Sequence, residues 1–230
     1  MWRNGLAALA AVHAVEWRTA CPFLDDGSGR APGLDQYLDW VQRWHRWAAQ
    51  SRQVPLLDIA MEHLLARRPD AATVCVAWGD ARPGNMIYDD DMNVAAVLDW
   101  EMASLGPPEL DLGWWLFMDR FYSTGFGLAR LDGLPTRTET VAQYEELSGH
   151  RVRDLEYYEL LAALRMSIVV SRSTTSHVQS GLLDANTTMD SANPATQVVA
   201  ELLGLPVPAL SPDFEQVIRS VTRASAKSAP

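Results

Sequence analysis

The chain predicts a mostly helical α+β fold, and two observations carry the prediction. Over most of its length apolar residues recur at steps of three or four, the period of an amphipathic helix. Between residues 73 and 98 that period gives way to three short runs of β-branched and apolar residues, the last two joined by the polar turn Asp89-Asp90-Asp91-Met92-Asn93. Helices are expected to form a scaffold, with a small hairpin as its working part.

The elements follow in order. Residues 2–18 give a first amphipathic helix. The segment Cys21-Pro22-Phe23 to Asp35 contains two prolines and three glycines and breaks any periodicity. Tyr37, Leu38, Val41, Trp44 and Trp47 then mark a helix from Leu34, its tryptophans read as core packing. Pro55 opens the next helix, which ends near Arg67-Arg68-Pro69. Strands are expected over 73–77, 86–88 and 94–98, with an irregular segment after Asp99. Pro107 and Pro108 suit a helix start, and Glu109 and Asp111 in its first turn favour the helix dipole. Residues 121–137 read as loop. Helices resume over 138–147 and 153–178, the second burying Leu155, Tyr158, Leu161, Leu164, Ile168 and Ser171, and again over 190–203 and 213–224. Residues 1–224 are taken as one lobe and 225–230 as a disordered tail. No internal repeat is present.

Composition narrows the function. A formal charge of -10 and a pI near 4.9 argue against a nucleic-acid or anionic-membrane binder, whose partners would be repelled. The two cysteines, Cys21 and Cys75, lack metal spacing and read as buried free thiols in a reducing cytoplasm. No apolar run reaches the ~20 residues of a membrane span, and the N-terminus reads as an amphipathic helix in preference to a signal peptide. The five histidines do not cluster at metal spacing and read as core or surface residues.

The chemistry lies in residues 76–112. Asp80 follows a strand, where a carboxylate can take a proton from a substrate hydroxyl. Asn85 follows at i+5, a neutral oxygen ligand suited to magnesium. Asp99 ends the returning strand of a hairpin that begins just after Asn85, so two hard oxygen ligands meet at one end of it. Singly, each has an ordinary role, as a turn aspartate, an Asx-turn residue and a strand cap. Together they reproduce the layout of a kinase catalytic loop and its metal-binding aspartate. Arg82 is a candidate phosphate or substrate contact, or a structural ion pair. Glu101 is a candidate for metal or substrate binding, or for bracing the loop. Asp89-Asp90-Asp91 reads as a solvated turn.

The segment Trp78-Gly79-Asp80-Ala81-Arg82-Pro83-Gly84-Asn85, with the later Leu98-Asp99-Trp100-Glu101 and Gly106-Pro107-Pro108-Glu109-Leu110-Asp111-Leu112, resembles the catalytic core of the aminoglycoside phosphotransferase and choline kinase-like family. Its bacterial branch includes the kinase-like domains found beside acyl-CoA dehydrogenases. The resemblance implies the helical C-terminal lobe of a protein-kinase-like fold. It implies transfer of the γ-phosphoryl of ATP or GTP to a hydroxyl on a small molecule. Asp80 would be the base, Asn85 and Asp99 the Mg²⁺ ligands, and Asp111 a brace for the catalytic loop. Residues 6–16 also resemble a family helix that follows the hinge between lobes.

Two departures stand out. Trp78 occupies the usual histidine position and is expected to pack there while removing a hydrogen bond within the loop. No Gly-rich phosphate loop is found, and the single lysine, Lys227, lies in the tail. The family's β-rich N-terminal lobe is therefore expected to be largely or wholly missing from this chain; a third, less favoured reading puts it upstream of a misassigned start. The alternative is a truncated or pseudo-kinase lobe that binds without turnover.

Overall fold

The computed structural model describes residues 1–70 and 73–227. It is 58% helical with two small two-stranded sheets, which is the expected mostly-α α+β class. The chain packs as two compact units. The first holds residues 1–40, 68–119 and 130–162, and the second residues 41–67, 120–129 and 163–230.

In the first unit, α1 (Trp2–His13) stops earlier than expected. Glu16 caps a separate short helix, α2 (Trp17–Ala20), by accepting the Arg18 backbone N–H. Helix α1 packs on α6 (Arg137–Ser148), which begins at a Thr136/Glu139 capping box. Close approach to α5 (Glu109–Tyr122) depends on Gly5, where an added Cβ would sit 2.8 Å from the Trp115 ring. Trp2 closes the same seam edge-on against Trp115, centroids 5.2 Å apart, with its indole N–H on the Thr140 hydroxyl.

The strands of this unit are β1 (Cys75–Ala77), β2 (Met86–Tyr88), β3 (Val94–Val97) and β4 (Ser104–Gly106). Antiparallel β2 and β3 form the expected hairpin, pairing Met86 with Val97. The segment after Asp99 is not wholly irregular. It contains β4, which pairs antiparallel with β1, Ala77 opposite Ser104. Three residues are too few to show an alternating pattern in sequence. Asp89 organises the hairpin turn by accepting the backbone N–H groups of Asp91 and Asn93.

In the second unit, α4 (Pro55–Ala66) packs on α8 (Pro194–Leu202). The expected helix start at 190 moves to 194 because Asn193 is the cap. Its side-chain oxygen accepts from Ala195 and Thr196 while Thr196 answers to the Asn193 N–H. Buried Asp190 is held by the Arg52 guanidinium at 2.5 Å. Phe126 packs edge-on against Phe214 of α9 (Pro212–Lys227). Helix α9 runs three residues past its expected end, so the tail expected to be disordered from 225 starts as helix; residues 228–230 lie outside the described residues.

Helices α3 (Leu34–Ala49) and α7 (Leu155–Gln179) each contribute residues to both units. The expected buried face of α7 is found in full, from Leu155 to Ser171. On α3 the core reading fails at Trp47, which is 50% exposed and stacks under the Arg172 guanidinium at 3.9 Å. Cys75 is buried as expected and burial pushes its thiol pKa up, whereas Cys21 is part-exposed. No helix among the described residues is long and apolar enough to cross a membrane.

Candidate active site

The site hangs from the C-terminal end of β1. Trp78 leaves the strand fully buried, and Gly79 follows at φ +94, a left-handed conformation with the Met102 carbonyl oxygen 2.3 Å from where a Cβ would stand. Only glycine fits both constraints. Beneath this corner lies Asp111, wholly buried in the first turn of α5. Its carboxylate accepts the Trp78 N–H at 2.6 Å and the Gly79 N–H at 2.8 Å. One side chain thus accepts two consecutive backbone amides between strand and loop.

Asp80 comes next, its side chain 18% exposed. The Trp114 indole N–H donates to Oδ1 at 2.7 Å, and Asn85 Nδ2 donates to Oδ2 at 2.6 Å. Arg82 Nε lies across both oxygens at 3.2 and 3.1 Å. Asn85 also donates to the Asp80 carbonyl, so its amide nitrogen is fully engaged and Oδ1 carries no hydrogen bond from a described residue. The motif residues Asp80, Arg82 and Asn85 therefore meet in one cluster.

Asp99 reaches this cluster through the backbone. Leu98 N–H donates to the Asn85 carbonyl at 2.9 Å, and the Leu98 carbonyl accepts the Trp78 indole N–H at 2.8 Å. Trp78 therefore does hydrogen-bond, contrary to the expectation that tryptophan removes such a bond here: it ties the loop to the strand exit before Asp99. Asp99 then turns through φ 63, ψ 59, a left-handed conformation that aspartate adopts less readily than glycine. Its exposed carboxylate has no hydrogen bond or ion pair among the described residues. Glu101, also exposed, is not drawn into the cluster by any described contact.

These donors suit a hard divalent cation. One amide oxygen and one carboxylate, both unengaged, meet Mg²⁺'s preference for one or two protein ligands with the rest from water and phosphate. Among the described residues no group of three or more His, Cys, Asp or Glu could enclose a metal.

Sequence reading missed three residues around this cluster. Trp114 touches Asp80 directly. His13 bonds Asp111 through Nε2 at 2.9 Å and Tyr144 through Nδ1 at 2.6 Å. All three come from distant helices, so no local spacing signals them.

A family model described as "Phosphotransferase enzyme family" matches residues 1–155, about two thirds of the chain and the whole of this site. The chain belongs to that family. As a family member it is 31% identical over 142 residues to clavilactone A biosynthesis cluster protein Y of Ampulloclitocybe clavipes. It is 27% identical over 145 residues to acyl-CoA dehydrogenase family member 11 of Mus musculus. Each alignment covers 59% of this phosphotransferase-family chain, but only 35% and 18% of those proteins. Among solved structures, a Ralstonia eutropha protein assigned as an aminoglycoside phosphotransferase superposes with TM-score 0.68 at 22% identity, covering 88% of this chain and 64% of that one. Macrolide 2'-phosphotransferase type I gives 0.53 at 20%, covering 87% and 58%. A choline/ethanolamine kinase family protein of Mesorhizobium loti gives 0.52 at 12%, covering 96% and 66%. These likenesses establish the kinase-like fold.

Proposed function

We propose that the chain supplies the catalytic half of a small-molecule phosphotransferase, passing the γ-phosphoryl of ATP or GTP to a substrate hydroxyl. The observation that carries this is the division of labour around Asn85. Its amide nitrogen fixes Asp80, and its amide oxygen is left unengaged beside the exit to Asp99, whose carboxylate is unengaged too.

Asp80 serves as the base. As the acceptor oxygen bonds to Pγ and the Pγ–Oβ bond breaks, the hydroxyl proton passes to an Asp80 carboxylate oxygen and the nucleoside diphosphate leaves with the electron pair. Trp114 and Asn85 hold that carboxylate in place through the two shorter bonds. The Arg82 contacts are the longer ones, so Arg82 is the donor that yields to an incoming hydroxyl, remaining close enough to face the transferring phosphoryl group. Asn85 Oδ1 and Asp99 would hold Mg²⁺ together with the nucleotide phosphates, where the cation offsets developing negative charge. Asp111 keeps the loop at a fixed height. The acceptor is a small molecule in the cytoplasm, with no role for nucleic acid or membrane.

Calorimetry of the chain with ATP or GTP and Mg²⁺, paired with assays over a panel of hydroxyl acceptors, tests this. Binding that needs Mg²⁺, with turnover lost in Asp80→Asn, is expected. Wild-type turnover unaffected by Asp80→Asn would overturn the assignment. A second reading, a lobe that binds without turnover, is favoured by one observation: the donors on Asp80 occupy both of its oxygens. It predicts that nucleotide binds and no acceptor is phosphorylated.

A further inference from the structure

We infer that His13 is a positioning residue for the catalytic loop, acting on it through Asp111 and held in one tautomer by Tyr144. The inference rests on the proposed phosphotransfer only for its effect on turnover; the structural relay stands apart from it.

The geometry leaves little freedom. His13 is the last residue of α1, its side chain 4% exposed, and Asp111 is 0% exposed. An ionised carboxylate only accepts hydrogen bonds. Asp111 Oδ1 takes the Gly79 N–H and Oδ2 the Trp78 N–H, so the contact from His13 Nε2 to Oδ2 requires Nε2 to carry a proton. In the neutral ring Nδ1 is then an acceptor, and 2.6 Å away stands the Tyr144 hydroxyl. Burial raises the Tyr144 pKa, so the phenol keeps the proton it must donate. The chain Tyr144 O–H to Nδ1, and Nε2–H to Asp111, satisfies every group in it. It joins the end of α1, the first turn of α5 and Tyr144 within α6 to two consecutive amides, directly before Asp80.

The consequence is orientation. A carboxyl group turns about χ2 in a broad, roughly two-fold well. The two loop amides bond one oxygen each, and His13 is the third donor, a second bond on Oδ2 that further restrains rotation. Without it, a buried oxygen loses a charge-assisted bond and the amides lose a fixed partner. Asp80, the next residue along the chain, would then lose its fixed backbone support.

Amide hydrogen exchange in the 230-residue chain, read at Trp78 and Gly79 with Ile87 in the β2–β3 ladder as internal reference, tests this independently of activity. In His13→Leu the two loop amides are expected to exchange about tenfold faster or more, with Ile87 unchanged. His13→Gln, which keeps a donor toward Asp111, is expected to restore most of the protection. Tyr144→Phe, which frees the tautomer, should fall between the two. In turnover, His13→Leu is expected to lower kcat about tenfold while KM for nucleotide stays within about twofold. Folded His13→Leu with wild-type exchange at Trp78 and Gly79 would overturn the inference, as would an equal rise at Ile87. If His13→Leu does not fold, Tyr144→Phe decides by the same comparison. Absence of phosphotransfer in the wild type would count against the proposed reaction alone, with the exchange result still deciding the relay.

Discussion

Replacing Gly79 with alanine strikes the corner on which the site turns, and its cost can be worked from the structure. Two penalties apply. A Cβ at φ +94 costs about 1–2 kcal/mol in backbone strain. It would also stand 2.3 Å from the Met102 carbonyl oxygen and 2.6 Å from the Met102 carbonyl carbon, where an ordinary C···O contact needs about 3.3 Å. Backbone cannot swing aside as a side chain can, so the loop must shift by about 1 Å. That stretches the 2.8 Å bond from Gly79 N–H to buried Asp111, a charge-assisted bond worth about 1.5–3 kcal/mol. The sum is about 2.5–5 kcal/mol. Gly149 supplies the control. It follows α6 at φ +70 with nothing within 4 Å of its added Cβ, so Gly149→Ala incurs only the strain. Urea unfolding followed by tryptophan fluorescence would measure both variants, with Trp78 itself buried at the perturbed corner. A Gly79→Ala midpoint no lower than that of Gly149→Ala would refute the crowding argument.

Other expectations follow from single contacts. Trp114→Phe keeps the ring and deletes the indole N–H on Asp80, so kcat should fall about tenfold with nucleotide affinity, read by calorimetry, unchanged. Arg52→Ala leaves Asp190 buried without its cation, and the Thr187 carbonyl without the Arg52 donor at 2.6 Å. It should cost about 3–5 kcal/mol in urea unfolding, and a loss under about 1 kcal/mol would show the pair to be dispensable. The Asp89 pKa lies below its ordinary value, first because the Asn93 backbone N–H donates to the carboxylate and next through the Asn93 side chain. Its contribution to the turn is fully present above the unfolded-state value of about 3.9 and is lost as pH falls through the lower folded value. NMR should therefore show the Asn93 amide shift moving only below about pH 4, and a midpoint above that would contradict the assignment.

The candidate cluster was legible in the sequence because it is local. Asp80, Arg82 and Asn85 lie within one turn of chain, and a two-residue-period hairpin returns Asp99 to them. What surrounds the set was not legible. Trp114 reaches Asp80 across 34 residues, His13 reaches Asp111 across 98 and Tyr144 reaches His13 across 131, with no spacing to betray the contacts. Trp78 was misjudged for a related reason. As a histidine replacement it looked like lost polarity, yet the larger ring carries its N–H far enough to find the Leu98 carbonyl. Among the helices, α7 was legible because its stripe is long and continuous. Trp47 was not, since helical spacing cannot distinguish a buried ring from one capped by a distant arginine. The break between α1 and α2 turns on the Glu16 cap, a feature smaller than any periodic window.

Asp99 carries a consequence for anyone who would improve this protein. Its left-handed backbone, φ 63 and ψ 59, is one that glycine adopts without strain, and its carboxylate gives nothing back to the fold through a hydrogen bond or ion pair among the described residues. Exchange for glycine would relieve about 1 kcal/mol. A library screened for heat resistance alone would therefore enrich Asp99→Gly, discarding the side chain proposed to meet the cation. Selection on this chain needs a counter-screen for nucleotide binding, because at this position thermal robustness and the proposed chemistry pull the sequence in opposite directions.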